Sequence, residues 1–390
     1  MYIVDVRTIP LCYRCKQPYM GAAGALVVRN SLLVEIEVDT GLIGIGEAGS
    51  SGGPLASTQV VVEQELKPLL VGEDPLHIER LWQKMFQCTR LHGRRGIVMH
   101  AISGIDIALW DIVGKVAGLP LYRLFGAYRD KLEAYASGGF YQEGKDIGVL
   151  VEETERIVAH GYRAMKIKVG RTSSTQTNLR EMLPYHDTCV VSLQEDLARV
   201  EAVRQALGPE QKLMVDVNCA WSPALAIQMG KAMEPYNLYW IEEPVATDDI
   251  RGSAEVARAL GTAIAGYETE VGLYGFRELI TRGAVDIVQP DISWAGGFTE
   301  CRRIASFAYA YNQMVSPHAF SSAITLVASM HLLASIPNGL ILEFDQTENA
   351  LREELLKEPV RINHAGFVTL PERSGLSVEL DPVTVERYRT

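Results

Sequence analysis

The feature that most constrains this chain is a repeated beat. From residue 129 to 345, eight short apolar runs recur, ending at Ser137, Val169, Val217, Ile241, Gly266, Gln289, Ser316 and Glu343. Amphipathic stretches such as SLQEDLARVEAVRQALG lie between most of them. Short apolar runs alternating with helical patterns read as βα units on a parallel sheet. Eight such steps over about 215 residues predict a closed parallel α/β barrel, with an open doubly wound sheet as the alternative. Either architecture puts function at the C-terminal ends of the strands. No G-x-G-x-x-G opens a helix, so the dinucleotide fingerprint is missing.

The flanks have a different rhythm. The first ~40 residues alternate as strands, in SLLVEIEVDTGLIGIGEA for example, with Asp39-Thr40-Gly41 as a turn. From about Thr58 to Gly126 the pattern is helical, with Ile102, Ile105, Leu109 and Ile112 on one face. The expected organisation is an α+β unit over 1–128, the barrel over 129–345, and a segment over 346–390 that returns to the first unit.

Composition narrows the function. A net charge of −11 argues against a broad nucleic-acid footprint, though a pocket can still carry local positive charge. No run of eighteen apolar residues suggests a membrane span, and MYIVDVRTIPLCYR lacks a signal-peptide core. A cytoplasmic location is the default expectation. The six cysteines are scattered; Cys12 and Cys15 form a C-x-x-C with no second pair to complete a zinc site.

The chemistry gathers at the strand ends. In MKIKVG, Lys166 and Lys168 are two residues apart and share one face of a strand. Two ammonium groups in so apolar a segment need partners. Strand three ends in Asp216, with Asn218 two residues on, and strand four in Glu242, followed by Glu243. Glu268 and Glu270 follow strand five, Asp291 strand six and His318 strand seven, and Glu343 ends strand eight. The intervals from Asp216 to Glu343 are 26, 26, 23, 27 and 25 residues, one βα unit each, so these side chains should meet at one barrel mouth. Asp216, Glu242 and Glu268 would repel one another there unless a hard divalent cation such as Mg²⁺ joined them. Beside that cation the pKa of Lys168 should fall, leaving a base, while Lys166 stays charged and holds an anionic substrate. His318 is the second candidate base, with Asp291 to fix its tautomer.

These residues resemble the enolase superfamily, mandelate racemase-like group, over nearly the whole chain. AISGIDIALWDIVGKVAGLPLYRLFG, KIKVG, VDVN, WIEEP, YETE, DIVQPDISWAGG, SPH and ILEFD occur in the family's order. The resemblance implies a capping domain on a modified (β/α)₇β barrel, Mg²⁺ as cofactor, and a homo-oligomer, dimer or octamer. It implies Asp216, Glu242 and Glu268 as metal ligands, Lys168 and His318 as bases, and Asp291 as the partner of His318. Lys166, Asn218 and Glu343 would contact substrate, and Glu243 would support a ligand. A Lys or His base with Mg²⁺ stabilising an ene-diolate is that superfamily's pattern. The segments GAVDIVQPD and LEFDQTEN look most similar to acid-sugar dehydratases and lactone-forming cycloisomerases. The expected reaction is Mg²⁺-dependent dehydration of an aldonate or aldarate. Racemisation, epimerisation or ring closure through the same intermediate is the alternative. A non-catalytic binding protein would have lost a base or a ligand, and none is lost.

Two departures bear on substrate. Tyr267 stands where the family often has glycine, and Glu270 where many relatives carry a neutral or aromatic residue. Cap segments Arg14 to Ala25 and Gly49 to Pro54 are turn-rich, with Arg14, Lys16 and Tyr19 as candidates for a distal polar contact. After strand two, RTSSTQTNLREMLPYHDTCVVSL carries Arg171, Arg180 and His186. It is about twenty residues longer than an ordinary βα loop, and is expected to act as a specificity lid. Shortening it to a tight connection should alter relative rates across a panel of sugar acids while the barrel stays folded. Unchanged relative rates would show that the insert does not read substrate.

Overall fold

A computed structural model of the chain describes residues 1–22, 24–49, 53–171 and 191–390. Arg180, His186 and most of the insert assigned above as a lid lie outside these described residues, as do Ser50, Ser51 and Gly52 of the second cap segment.

The N-terminal unit is an antiparallel sheet of β1 (Ile3–Gly21), β2 (Gly24–Val38) and β3 (Ile43–Ala48). Helices α1 (Leu55–Val60), α2 (Lys67–Leu70), α3 (Ile78–Thr89), α4 (Ile97–Ala117) and α5 (Leu121–Leu124) follow it. Gly44 and Gly46 alternate on the face of β3 that α4 covers. A Cβ on Gly46 would lie 2.0 Å from the Gly104 carbonyl oxygen, and one on Gly44 2.2 Å from that of Ala108. Only bare backbone lets helix and strand come so close. Among the described residues α4 is the one helix long and apolar enough to cross a bilayer. Its 78% buried window is instead spent on core packing, and its acids join units. Asp111 accepts from Ile45 N at 2.9 Å and Leu376 N at 2.7 Å, and Asp106 accepts from Thr299 N at 3.0 Å.

The barrel runs β4 (Lys131–Gly138), α6 (Ile147–Ala159), β5 (Ala164–Lys168), α7 (Leu193–Leu207), β6 (Lys212–Asp216) and α8 (Pro223–Met233). It continues with β7 (Trp240–Glu242), α9 (Ile250–Ala259), β8 (Ile264–Gly266), α10 (Gly272–Thr281), β9 (Ile287–Val288), α11 (Gly297–Ala310), β10 (Met314–Val315), α12 (Ala323–Ser335) and β11 (Leu342–Asp345). All eight strands foreseen in the sequence are present, and they pair in parallel in the order β10-β9-β8-β7-β6-β5-β4-β11. The ends close where Val315 N donates to Asn338 O and Leu340 N to Val315 O, both at 2.8 Å. A barrel therefore replaces the open-sheet alternative. Beyond β11 come only α13 (Ala350–Glu353), β12 (Phe367–Thr369) and α14 (Pro382–Tyr388), so among the described residues seven full helices serve eight strands.

Period-two geometry sorts the strand side chains. Met165, Ile167 and Val169 pack outward in one cluster with Val200, Val203 and Leu207 of α7. Tyr135, Ala164, Met214, Trp240, Ala265 and Ile287 form a second cluster that fills the barrel. Ala164 thus sets the inward face, and Lys166 and Lys168 continue it upward.

The cap is fastened to the barrel by buried charge. The fully buried Glu47 of β3 accepts from Ser31 Oγ, from Ser322 N and Oγ, and from Thr325 N and Oγ1, at 2.6–3.1 Å. Ser322 is the N-cap of α12, so this carboxylate satisfies helix-end donors that would otherwise lack partners. Buried Arg29 of β2 donates to Phe320 O at 3.1 Å and also binds Asp345 and Thr347. The C-terminal segment touches the first unit through Leu121 N to Gly375 O, 3.0 Å, and Thr390 N to Pro10 O, 3.1 Å.

A second buried tie is pH-sensitive. His331 of α12 accepts from Tyr122 N at its Nδ1, 3.1 Å, so its Nε2 is the protonated nitrogen that donates to Leu376 O, 3.0 Å. Burial holds its pKa down to about 4 against an ordinary 6.5, with the Leu376 bond pulling the other way. The unfolded chain therefore binds the extra proton first. Stability from this group is complete above pH 6.5 and is lost as pH falls toward 4, by about 3 kcal/mol in all. Relative to wild type, His331→Gln should lose stability at pH 7 and close part of that gap by pH 4.5. Urea denaturation at both pH values measures it; a constant gap would rule out the neutral buried imidazole.

Candidate active site

Strand register builds the site. Lys168 pairs with Asp216, and Asp216 with Glu242, in one row across β5, β6 and β7. All three are buried, as are Lys166, Glu243, Asp291, His318 and Glu343. Lys166 Nζ bonds Glu242 Oε1 and lies 3.0 Å from Glu343 Oε1 and 3.6 Å from Asp216 Oδ2. Lys168 Nζ bonds Asp216 Oδ2 and sits over the Phe140 and Phe320 rings, 5.1 and 5.9 Å from their centroids. On the far side, His318 Nδ1 is 2.7 Å from Asp291 Oδ2 and Nε2 is 3.2 Å from Glu268 Oε2. Asp291 is itself fixed by Ser293 N and Oγ at 2.7 and 2.6 Å. All nine residues singled out for chemistry therefore lie on the barrel strands or in the loops just beyond their C-terminal ends.

A cavity of about 280 Å³ opens above them, lined by Tyr19, Arg29, Asn30, Phe140, Lys168, Asn218, Glu268, Trp294, His318 and Phe320 among others. It lies at the small end of ligand pockets, which start at roughly 300 Å³. Cap and barrel both contribute walls. Asn218 has positive φ, +46°, and donates its own N–H to Asp216 Oδ1 at 2.9 Å, aligning that acid.

The protein's own side chains, without a divalent cation among them, hold Lys168 charged. Burial does oppose its charge, and Lys166 adds to that, but Asp216, Glu268 and Glu242 outweigh both and raise its pKa. Lys166 is raised likewise, burial being overcome by Glu242 and Glu343. His318 reaches about 10, because Glu268, Glu343 and Asp291 overcome the cost of burying its charge. With the carboxylates as they stand, all three nitrogen groups are cationic.

Even so, acids are in surplus. Asp216, Glu242, Glu243, Glu268, Asp291 and Glu343 are six carboxyl groups against three cations. Burial raises Glu242 to about 7, and the neighbouring Asp216 and Glu343 charges add to it while Lys166 opposes. Burial and then Glu268, Asp216 and Glu242 push Glu243 well above the usual range, and burial followed by Asp216 raises Glu268 against His318. Such a cluster calls for additional positive charge. Among the described residues no three acids converge on one point as they stand, and the two ammonium groups bond Asp216 and Glu242 oxygens. The donor set is nonetheless the all-oxygen kind a hard divalent ion takes.

Several supporting residues had no sequence signal. Trp240 Nε1 and Gln289 Nε2 both donate to Glu242 Oε2 at 2.9 Å, leaving its other oxygen to face Lys166. Glu243 Oε1 accepts from Glu268 N at 2.8 Å, so it props the neighbouring acid as foreseen. Other expectations fail. Arg14 and Lys16 are exposed and do not line the cavity; Lys16 pairs with Glu348. Tyr19 does line it. Tyr267 is buried away from the cavity, with its hydroxyl on Ser253. Glu270 also points elsewhere, to Val271 N and Arg95. Arg171 is buried and donates to Gly21 O of the cap.

The N-terminal domain model of the mandelate racemase/muconate lactonizing enzymes matches residues 3–126, and the enolase C-terminal domain-like model matches residues 149–384. The chain belongs to this family. Across 99% of both chains it is 35% identical to the arabinonate dehydratase of Saccharolobus solfataricus. It is 33% identical to the D-galactarolactone cycloisomerase of Agrobacterium fabrum, over 100% of this chain and 99% of that protein. A racemase structure from Streptomyces coelicolor with bound magnesium superposes over the full length of both chains, with a TM-score of 0.88 at 33% identity. The matched enolase-like region spans the row Lys168, Asp216 and Glu242 as well as Glu268, Asp291, His318 and Glu343.

Proposed function

We propose that this chain is a Mg²⁺-dependent lyase that removes the proton α to a carboxylate and dehydrates a sugar acid, aldonate or aldarate, to a 2-keto-3-deoxy acid. The observation that carries the reading is the placement of Lys168 and His318 on opposite sides of one buried acid cluster. Asp216, Glu242 and Glu268 would hold the ion. When bound, Mg²⁺ would supply positive charge against the substrate carboxylate as the α-proton leaves. It would also compete with the ammonium groups for those acids. The remaining influences on Lys168, burial and the charge of Lys166, both favour the neutral amine, which is the form a base needs.

Lys166 stays charged and, with Asn218 and Glu343, orients the substrate head group. Lys168 takes the proton from one face. On the other face His318, its Nδ1 turned to Asp291, gives its Nε2 proton to the departing β-hydroxyl. Phe140, Phe320 and Trp294 wall off water around both bases. A dehydratase relative supports the elimination; a cycloisomerase relative keeps ring closure from the same enediolate as the second reading.

Two outcomes are expected. Mg²⁺ at a hundredfold excess over its Kd should stabilise the metal-free protein by about 2.7 kcal/mol, and Asp216→Asn should lose most of that gain while remaining folded. Thermal unfolding with and without chelator reads this; an undiminished shift removes Asp216 from the ion site. Screening mono- and diacid sugars for 2-keto products gives the substrate. With it, Lys168→Ala should slow α-proton exchange into deuterated solvent by roughly 10²–10⁴-fold, whereas Lys166→Arg should weaken binding and retain exchange. If Lys168→Ala exchanges at the wild-type rate while Lys166→Ala does not, the two lysines have been assigned the wrong way round. Exchange without elimination across the panel would favour the isomerase reading.

A further inference from the structure

A second and larger cavity, about 580 Å³, lies outside the barrel mouth, between α3, the start of α10 and α11. Arg90, Arg94, Arg95 and Arg303 line it together with Glu300. Arg95 and Arg303 are each paired with two carboxylates, so the unpaired positive charge rests on Arg90 and Arg94.

Two of the four guanidinium groups are anchored from behind by buried acids. Arg303 bonds Glu300 at 2.7 Å, bonds Glu79 as well, and lies over the Trp82 ring, 5.5 Å from its centroid. Glu300 in turn accepts from Leu273 N at the first turn of α10, 2.8 Å. Arg95 is held by Glu270, 3.2 Å away and 2% exposed, and by Asp248. The other two are not spent. Arg90 reaches only the Gln87 amide oxygen, 3.5 Å, and among the described residues Arg94 has no polar partner. Half-buried Phe86, stacked on Trp82 at 5.2 Å, and Tyr274, 70% exposed, form the apolar wall. Two unpaired guanidinium groups beside an aromatic wall, with two paired ones behind them, suit an anion with several oxygens.

We propose that this cleft is a binding site for a small multivalent anion carrying an apolar or planar group, such as a phosphate ester. It is separate from the acid-sugar site. Arg90 and Arg94 supply the charge-assisted bonds, and Phe86 and Tyr274 take the apolar part.

Titration calorimetry on the full-length, metal-free protein tests this with pyrophosphate, citrate, inorganic phosphate and phenyl phosphate. Pyrophosphate should bind saturably, one per chain, and more weakly as salt rises. Phenyl phosphate should bind more tightly than inorganic phosphate, and Phe86→Ala should erase the difference. Citrate equal to pyrophosphate would assign the site to polycarboxylates, within the same chemistry. Arg94→Glu should cost at least tenfold in affinity and Arg94→Gln less, with unchanged thermal midpoints because Arg94 supports no contact of the fold. Absence of saturable binding, or binding that survives Arg90→Glu with Arg94→Glu, overturns the proposal. So does a loss of self-association in Arg94→Glu with no anion bound by wild type, which would make the cleft a seat for a second copy of the chain.

Discussion

The site depends on a row of charge set by backbone register. Lys168, Asp216 and Glu242 pair as Cα neighbours on three adjacent parallel strands, and inward-facing positions recur only every second residue. A one-residue slip of β6 would turn Asp216 outward among the apolar side chains of the helical ring and leave Lys168 buried without its partner. The apolar alternation of Leu213, Val215 and Val217 prevents that slip, since those residues fill the layer outside the barrel. Packing outside the barrel therefore fixes the electrostatics inside it. The result is a cluster whose acids outnumber its cations and whose Glu242, Glu243 and Glu268 are all raised. Like-charge burial costs stability, and a cation binding only the folded state recovers it.

The two proposed bases stand on unlike supports. Lys168 grows from a strand inside the closed sheet. His318 sits on the loop between β10 and α12, and that loop is gripped from the cap. Arg29 holds Phe320 O, Glu47 holds the first turn of α12, and Ala319 N donates to Glu343 at 2.9 Å. Glu47 can stay buried because five donors and a helix N-terminus meet it. The cap does more than roof the cavity; it sets the position of one base relative to the other. Residues close to the bases are consequently shared between units, which explains why Tyr19, Arg29 and Asn30 of the cap line the same cavity as Lys168 and His318.

Local pattern carried the parts of this architecture that depend on period. The strands, the inward placement of Lys166 and Lys168, and the arrival of one polar residue per βα step all follow from alternation and spacing, and each is where the sequence puts it. The raised pKa of Lys168 did not follow, because it depends on how close Asp216 comes across the sheet and on whether an ion holds that acid, neither of which is written in MKIKVG. Trp240 and Gln289 read as ordinary apolar-run residues, and only the fold shows both donating to Glu242. Glu47 is the clearest case. It sits in IGIGEA as one polar residue at the end of an edge strand, indistinguishable from a solvated acid. Its partners Ser322 and Thr325 are 275 and 278 residues further on. What makes Glu47 a buried clamp is the docking of one unit on another, a contact that neither unit's own periodicity encodes. The arginines at 90, 94 and 95 pose the converse problem. In RLHGRRG they look like a solvated turn, and their convergence with Arg303 exists only because α3 of the cap packs beside α11 of the barrel.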